Sequence, residues 1–144
     1  MLKLNNNTLL VVDDNPDDVE LTLAALATTT LAEKVVVAKD GIEAMQYLRQ
    51  EADFASAESP SLVLLDLNMP RKDGREVLAE MKADPILRKI PVVVLSTSEA
   101  EDDVSTAYGM HANCYVSKPA DMSQLIKMAK CLEEFWFRVA QLPA

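Results

Sequence analysis

The chain has 144 residues, 49% hydrophobic and 26% charged, with a formal net charge of -9. That length suits one domain with a buried core, and no apolar run is long enough to span a bilayer. The acidic balance argues against nucleic acid and against anionic membrane surfaces as partners, since both attract basic faces.

In chain order, LLVV (9–12) reads as a first strand, followed by a helix that begins near Pro16. Asp17 and Asp18 fall in its first turn, where the helix dipole favours carboxylates. VVVA (35–38) is a second strand, and Asp40 caps a helix carrying Ile42, Ala44, Met45, Tyr47 and Leu48. Residues 51–60 read as a loop. LVLL (62–65) is a third strand, then DLNMPRKDG is a loop marked by Pro70 and Gly74. A third helix spans 74–83 and stops at Asp84-Pro85. VVVL (92–95), a helix over 99–109, a weaker strand CYV (114–116) and a long helix over 121–140 complete the pattern. Strands that are apolar throughout, joined by helices, predict an open, doubly wound parallel α/β sheet with helices on both faces. The start MLKLNNNTLL has no secretory pattern, and Cys114 and Cys131 form no CxxC pair. Both are expected to be reduced thiols in a cytoplasmic protein.

Chemistry in such sheets sits beyond the carboxyl ends of the strands. There the sequence offers Asp13 and Asp14 after the first strand and Asp66 after the third. Ser96, Thr97 and Ser98 follow the fourth strand, and Lys118 follows the fifth. Carboxylates from two strands would repel one another unless a hard divalent cation joined them, and Mg2+ takes such oxygen ligands. With a lysine and a hydroxyl beside them, these are the parts of a phosphoryl-transfer site in which one carboxylate is the nucleophile. Each residue alone has a plainer reading. Asp13-Asp14 and Asp66 can be turn residues, Ser96 a helix cap, and Lys118 a solvated lysine. Their coincidence at one end of one sheet favours the functional reading.

VVDDNP, AKDGIEAM, LLDLNMPRKDG, IPVVVLSTS and YVSKP together resemble the receiver domain of two-component response regulators, chemotaxis regulators included, over nearly the whole chain. The resemblance implies a five-stranded, flavodoxin-like sheet of order 2-1-3-4-5 and a single receiver domain over 1–144. It implies Asp66 as phosphoacceptor, with Mg2+ held by Asp14, Asp66 and the backbone carbonyl of Asn68, and with Asp13 acting through water. Lys118 would bind the phosphoryl group and form a cis bond to Pro119. Ser96 and Tyr115 would be the switch pair. Thr97 stands where the family often has alanine, and its bulk is expected to slow water attack and lengthen the phosphorylated state. Ala120 replaces a frequent aromatic, which bears on the packing of the last loop.

The receiver pattern leaves only a longer last helix, about 121–144. One apolar stripe runs Met122, Leu125, Ala129, Leu132, Trp136, Ala140, and a second runs Met128, Cys131, Phe135, Val139, Leu142. One stripe suffices to pack on a sheet, so the second predicts a homodimer through Met128, Cys131, Phe135, Trp136 and Val139. The tail, LNMPRKDGREVL and LSTS resemble the small stand-alone regulators that partner phytochrome histidine kinases. That implies a sensor histidine kinase as phosphoryl donor, and a signalling switch rather than a turnover enzyme.

Other uses of the fold fit less well. An aspartate-nucleophile phosphatase needs a second aspartate where Asn68 stands. Gly41, Gly74 and Gly109 make no phosphate-binding glycine loop, and no GxxxxGK[ST] motif is present. A degenerate receiver that only binds proteins would not need Asp13, Asp14, Asp66 and Lys118 together. His111, the sole histidine, is assigned no phosphorelay role.

Overall fold

Five apolar runs form the strands β1 (Thr8–Val12), β2 (Lys34–Ala38), β3 (Leu62–Leu65), β4 (Val92–Ser96) and β5 (Cys114–Ser117). They pair in parallel in the order β2-β1-β3-β4-β5. The computed structural model describes residues 8–29, 34–67, 73–96, 101–119 and 121–139. Between the strands lie α1 (Pro16–Leu26), α2 (Gly41–Leu48), α3 (Gly74–Ala83) and α4 (Glu101–Gly109), and α5 (Met122–Leu132) follows β5.

Alternation along each strand divides the interior into two cores. Leu9, Val11, Leu62, Leu64 and Val93 pack with Ala25 and Leu26 of α1 and with Leu125, Ala129 and Leu132 of α5. Leu10, Val12, Val63, Leu65, Val92 and Val94 pack on the other face with residues of α2, α3 and α4. Burial on both faces explains why the strands are apolar at every position. Each fully buried leucine contributes roughly 1.5–3 kcal/mol.

Polar side chains set the helix starts. Asn15 accepts from the backbone N–H groups of Asp17 and Asp18, Asp40 from that of Glu43, and Asp121 from that of Gln124. Asp73 and Glu76 form a reciprocal capping box on α3. Each such cap is worth about 1 kcal/mol.

The expected order of elements holds, with local differences. β4 takes in Ser96, the described part of α4 runs Glu101–Gly109, and the 51–60 loop contains a 3-10 turn at Ala52–Phe54. The last helix is not one α-helix over 121–140. It is α-helical to Leu132 and then widens to π winding over Glu133–Val139. No proline or glycine breaks the run. The wider turn coincides with adjacent aromatics, Phe135 and Trp136, which meet edge to face with ring centroids 5.1 Å apart. No helix among the described residues is long and apolar enough to cross a membrane.

Candidate functional site

The sheet ladder itself delivers the first side chains. Beyond the last strand residues, the N–H of Asp13 donates to Ala38 O (3.1 Å), that of Asp66 to Val12 O (2.9 Å) and that of Lys118 to Ser96 O (2.7 Å). The backbone of each residue is therefore clamped to the neighbouring strand. Strand parity then sorts the side chains. Asp13 continues Leu9 and Val11, Asp66 continues Leu62 and Leu64, and Lys118 continues Cys114 and Val116. All six of those strand residues pack on the α1/α5 core. Ser96 and Tyr115 have the opposite parity, and Tyr115 packs against the α2–α4 core. The two residues expected to form the switch pair thus share the far face, while Asp13, Asp66 and Lys118 share the near one.

Carboxylate oxygens of Asp13, Asp14 and Asp66 lie within 4.8 Å of one another. Asp13 and Asp66 are buried, and Asp14 is more open to solvent. The Asn15 N–H donates to Asp13 Oδ1 at 3.0 Å. Lys118 Nζ donates to Asp13 Oδ2 at 2.7 Å and to Asp18 Oδ2 at 3.0 Å, and lies 3.8 Å from Asp66 Oδ2. Burial alone would pull the Lys118 ammonium down. The hydrogen bond it donates to Asp13, the charge of Asp66, the bond it donates to Asp18 and the charge of Asp13 outweigh it, so its pKa is raised. It stays charged at neutral pH.

Three carboxylates, those of Asp13, Asp18 and Asp66, thus stand around one ammonium, and Asp14 joins Asp13 and Asp66 in the acidic cluster. The donor set is oxygen only and in negative excess, which fits a hard divalent cation and not a thiophilic metal. Gly74 closes the floor. A Cβ on it would meet Asp66 O at 2.1 Å and Leu67 Cα at 2.6 Å, so only glycine lets α3 start against β3 beneath the acid.

Asp13, Asp14, Asp66 and Lys118 are therefore brought together as the sequence suggests. Ser96 is fully buried at the end of β4, and its carbonyl holds Lys118. Asn68, Thr97 and Ala120 lie outside the described residues, so the expectations placed on them find no structural counterpart. The cis Lys118-Pro119 bond is not found, because no described peptide bond is cis. Trans is the default for X–Pro by about 0.5–1 kcal/mol, and Lys118 already reaches its carboxylates with the bond trans.

Two contacts escaped the sequence reading. Asp18, taken as a dipole-complementing residue, is a direct partner of Lys118. Its signal was one helical turn of separation from the Asp13-Asp14 pair. Tyr108 on α4 accepts the backbone N–H of Tyr115 at 3.2 Å, covering the outer edge of β5. Among the proposed dimer residues, Met128 and Trp136 are partly covered by the chain's own α1/α5 core. Cys131 and Phe135 are exposed, and the Val139 side chain, like Ala140 and Leu142, lies outside the described set.

The pattern of the response regulator receiver domain matches residues 9–130, and the chain belongs to that family. Response regulator Rcp1 of Synechocystis is 45% identical over 136 residues, covering 94% of this chain and 92% of Rcp1. The crystal structure of the phosphorylated cyanobacterial phytochrome response regulator RcpA is 53% identical and superimposes with a TM-score of 0.91, covering 96% of this chain and 99% of that one. The Mn2+-bound form of Rcp1 is 44% identical, with a TM-score of 0.88 and the same coverage. A divalent cation at the acidic cluster agrees with that last structure.

Proposed function

We propose that the protein is a phosphoryl-accepting switch in which Asp66 takes a phosphoryl group from the phosphohistidine of a sensor histidine kinase. The observation that carries this is the cluster at one strand end: three carboxylates within 4.8 Å and a lysine ammonium 3.8 Å from Asp66. In the transfer, a carboxylate oxygen of Asp66 bonds to phosphorus as the phosphorus–nitrogen bond of the donor breaks. The imidazole leaves with the electron pair and takes up a proton. Mg2+ would be held by Asp14 and Asp66, with Asp13 through water and the Asn68 carbonyl, and supplies charge neutralisation at the phosphoryl oxygens. Lys118 balances the added charge. Ser96 donates its hydroxyl to the phosphoryl group, and Tyr115, on the same side of the sheet, follows it inward. Thr97 slows water attack on the phosphorylated form.

Kinship with RcpA and Rcp1 supports a phytochrome-type kinase as donor. The exposed Phe135 and Cys131 support a homodimer through the C-terminal helix, coupled to phosphorylation through β5 and α5. Intact-mass spectrometry after incubation with Mg2+ and acetyl phosphate tests the switch. One added phosphoryl group, absent with EDTA and in Asp66→Ala, is expected. A folded, metal-binding protein that gains no mass would contradict the reading and leave a protein-binding module.

A further inference from the structure

The Lys118 ammonium has three protons and makes two short carboxylate contacts, neither to Asp66. It donates to Asp13 at 2.7 Å and to Asp18 at 3.0 Å, while Asp66 stands at 3.8 Å, beyond hydrogen-bonding range. Asp18 is held in place by its own helix. Its N–H donates to Asn15 Oδ1 at 3.1 Å, which fixes the first turn of α1 and aims the carboxylate at the pocket.

The partners differ in burial. The Asp13 side chain is 5% exposed and that of Lys118 10%, but that of Asp18 is 35% exposed. If the ammonium left Asp13, a buried carboxylate would lose its ion pair and keep only the Asn15 N–H, which is strongly unfavourable. If it left Asp18, water would take its place and the helix N-terminus would still stabilise the charge. Asp18 is the partner that can be vacated.

We propose that Asp18 is a positioning residue that holds the Lys118 ammonium beside α1 and off Asp66 in the resting protein, and releases it when a phosphoryl group arrives on Asp66. This rests on the phosphoryl-accepting reading above. Keeping Lys118 aside leaves the Asp66 oxygens without a hydrogen bond from the ammonium and leaves the pocket negative enough for a divalent cation. A phosphoryl group then adds about -1.5 to -2 charge beside Lys118 and outbids the half-exposed Asp18. Asp18 therefore biases the resting arrangement against the phosphorylated one, and its contribution has opposite signs for the two ligands.

The test is titration calorimetry on the full chain with two probes: Mg2+ alone, and beryllofluoride in saturating Mg2+ as a phosphoryl mimic. Asp18→Asn and Asp18→Ala are compared with Asp17→Asn, which removes an equal charge from the same turn without a Lys118 contact. The N-cap bonds use backbone N–H groups and survive all three substitutions. Both Asp18 variants are expected to bind the mimic about two- to fivefold more tightly and Mg2+ alone more weakly by a similar factor. Asp17→Asn should stay near wild type. Equal shifts in Asp17→Asn would reduce the effect to long-range charge and overturn the proposal. Weaker mimic binding in the Asp18 variants would make Asp18 merely structural, and unchanged binding would deny it a role. A wild-type protein that ignores the mimic would instead overturn the phosphoryl-accepting reading itself, and this inference with it.

Discussion

The substitution Gly74→Ala adds one methyl group at the junction of β3 and α3. The new Cβ would stand 2.1 Å from Asp66 O, 2.6 Å from Leu67 Cα and 2.9 Å from Asp66 C. A carbon–oxygen contact needs about 3.3 Å, so strand and helix must part by about 1 Å. All three obstructing atoms are backbone, and none can rotate aside. Overpacking costs about 1–3 kcal/mol, and a backbone clash belongs at the upper end. Alanine gains at most about 1 kcal/mol of helix propensity, so the clash wins. A net loss of about 2 kcal/mol corresponds to roughly 6 °C in melting temperature for a domain of this size. The displaced atoms carry Asp66, and a shift of about 1 Å in a reacting group can cost on the order of 100-fold in rate. Urea unfolding followed by circular dichroism measures the first effect, and the rate of labelling by acetyl phosphate measures the second. A Gly74→Ala protein as stable as wild type and labelled at the wild-type rate would refute the close-packed junction.

Mg2+ should raise the melting temperature of the wild-type protein. At 100 times its dissociation constant the gain is about 2.7 kcal/mol, and Asp14→Ala should lose most of it; a scan with and without EDTA decides. Asp84 accepts the N–H groups of Ile86 and Leu87, and chiefly these bonds hold its carboxyl below the usual carboxylate range. A depressed folded pKa stabilises above the unfolded value and is lost as pH falls through the folded one. Asp84→Ala should therefore melt below wild type at pH 7, with the gap closing below about pH 4, as thermal scans across pH would reveal. A gap that persists in strong acid would assign Asp84 another role. Phe135→Glu should turn the proposed dimer into a monomer by sedimentation, and an unchanged mass would remove the C-terminal helix as the contact.

The near core and the acidic pocket were legible for one reason. In a doubly covered parallel sheet the first polar residue after an apolar run marks the strand end, so Asp13 and Asp66 announce themselves, and Lys118 follows one residue after Ser117 closes β5. Parity then fixes their side of the sheet, a consequence open to anyone who counts from Leu9, Leu62 and Cys114. Asp18 was not legible in its true role. A carboxylate in a first helical turn already has a sufficient local reason, and only the ion pair between the start of α1 and Lys118 beyond β5 reveals its partner. The π winding after Leu132 was hidden because Phe135 and Trp136 fit a 3.6-residue stripe as readily as a wider one. The Lys118-Pro119 expectation came from kinship rather than local chemistry, and nothing among the described residues' contacts requires the cis form.

The central claim is that Asp66 itself becomes the acyl phosphate. Borohydride reduces an acyl phosphate to an alcohol, converting a phosphorylated aspartate to homoserine while sparing free carboxylates. Peptide mass mapping after treatment with Mg2+, acetyl phosphate and borohydride should find homoserine at position 66, and only after phosphorylation. Homoserine at position 13 or 14, or at no position in a folded protein that had gained a phosphoryl mass, would contradict the account.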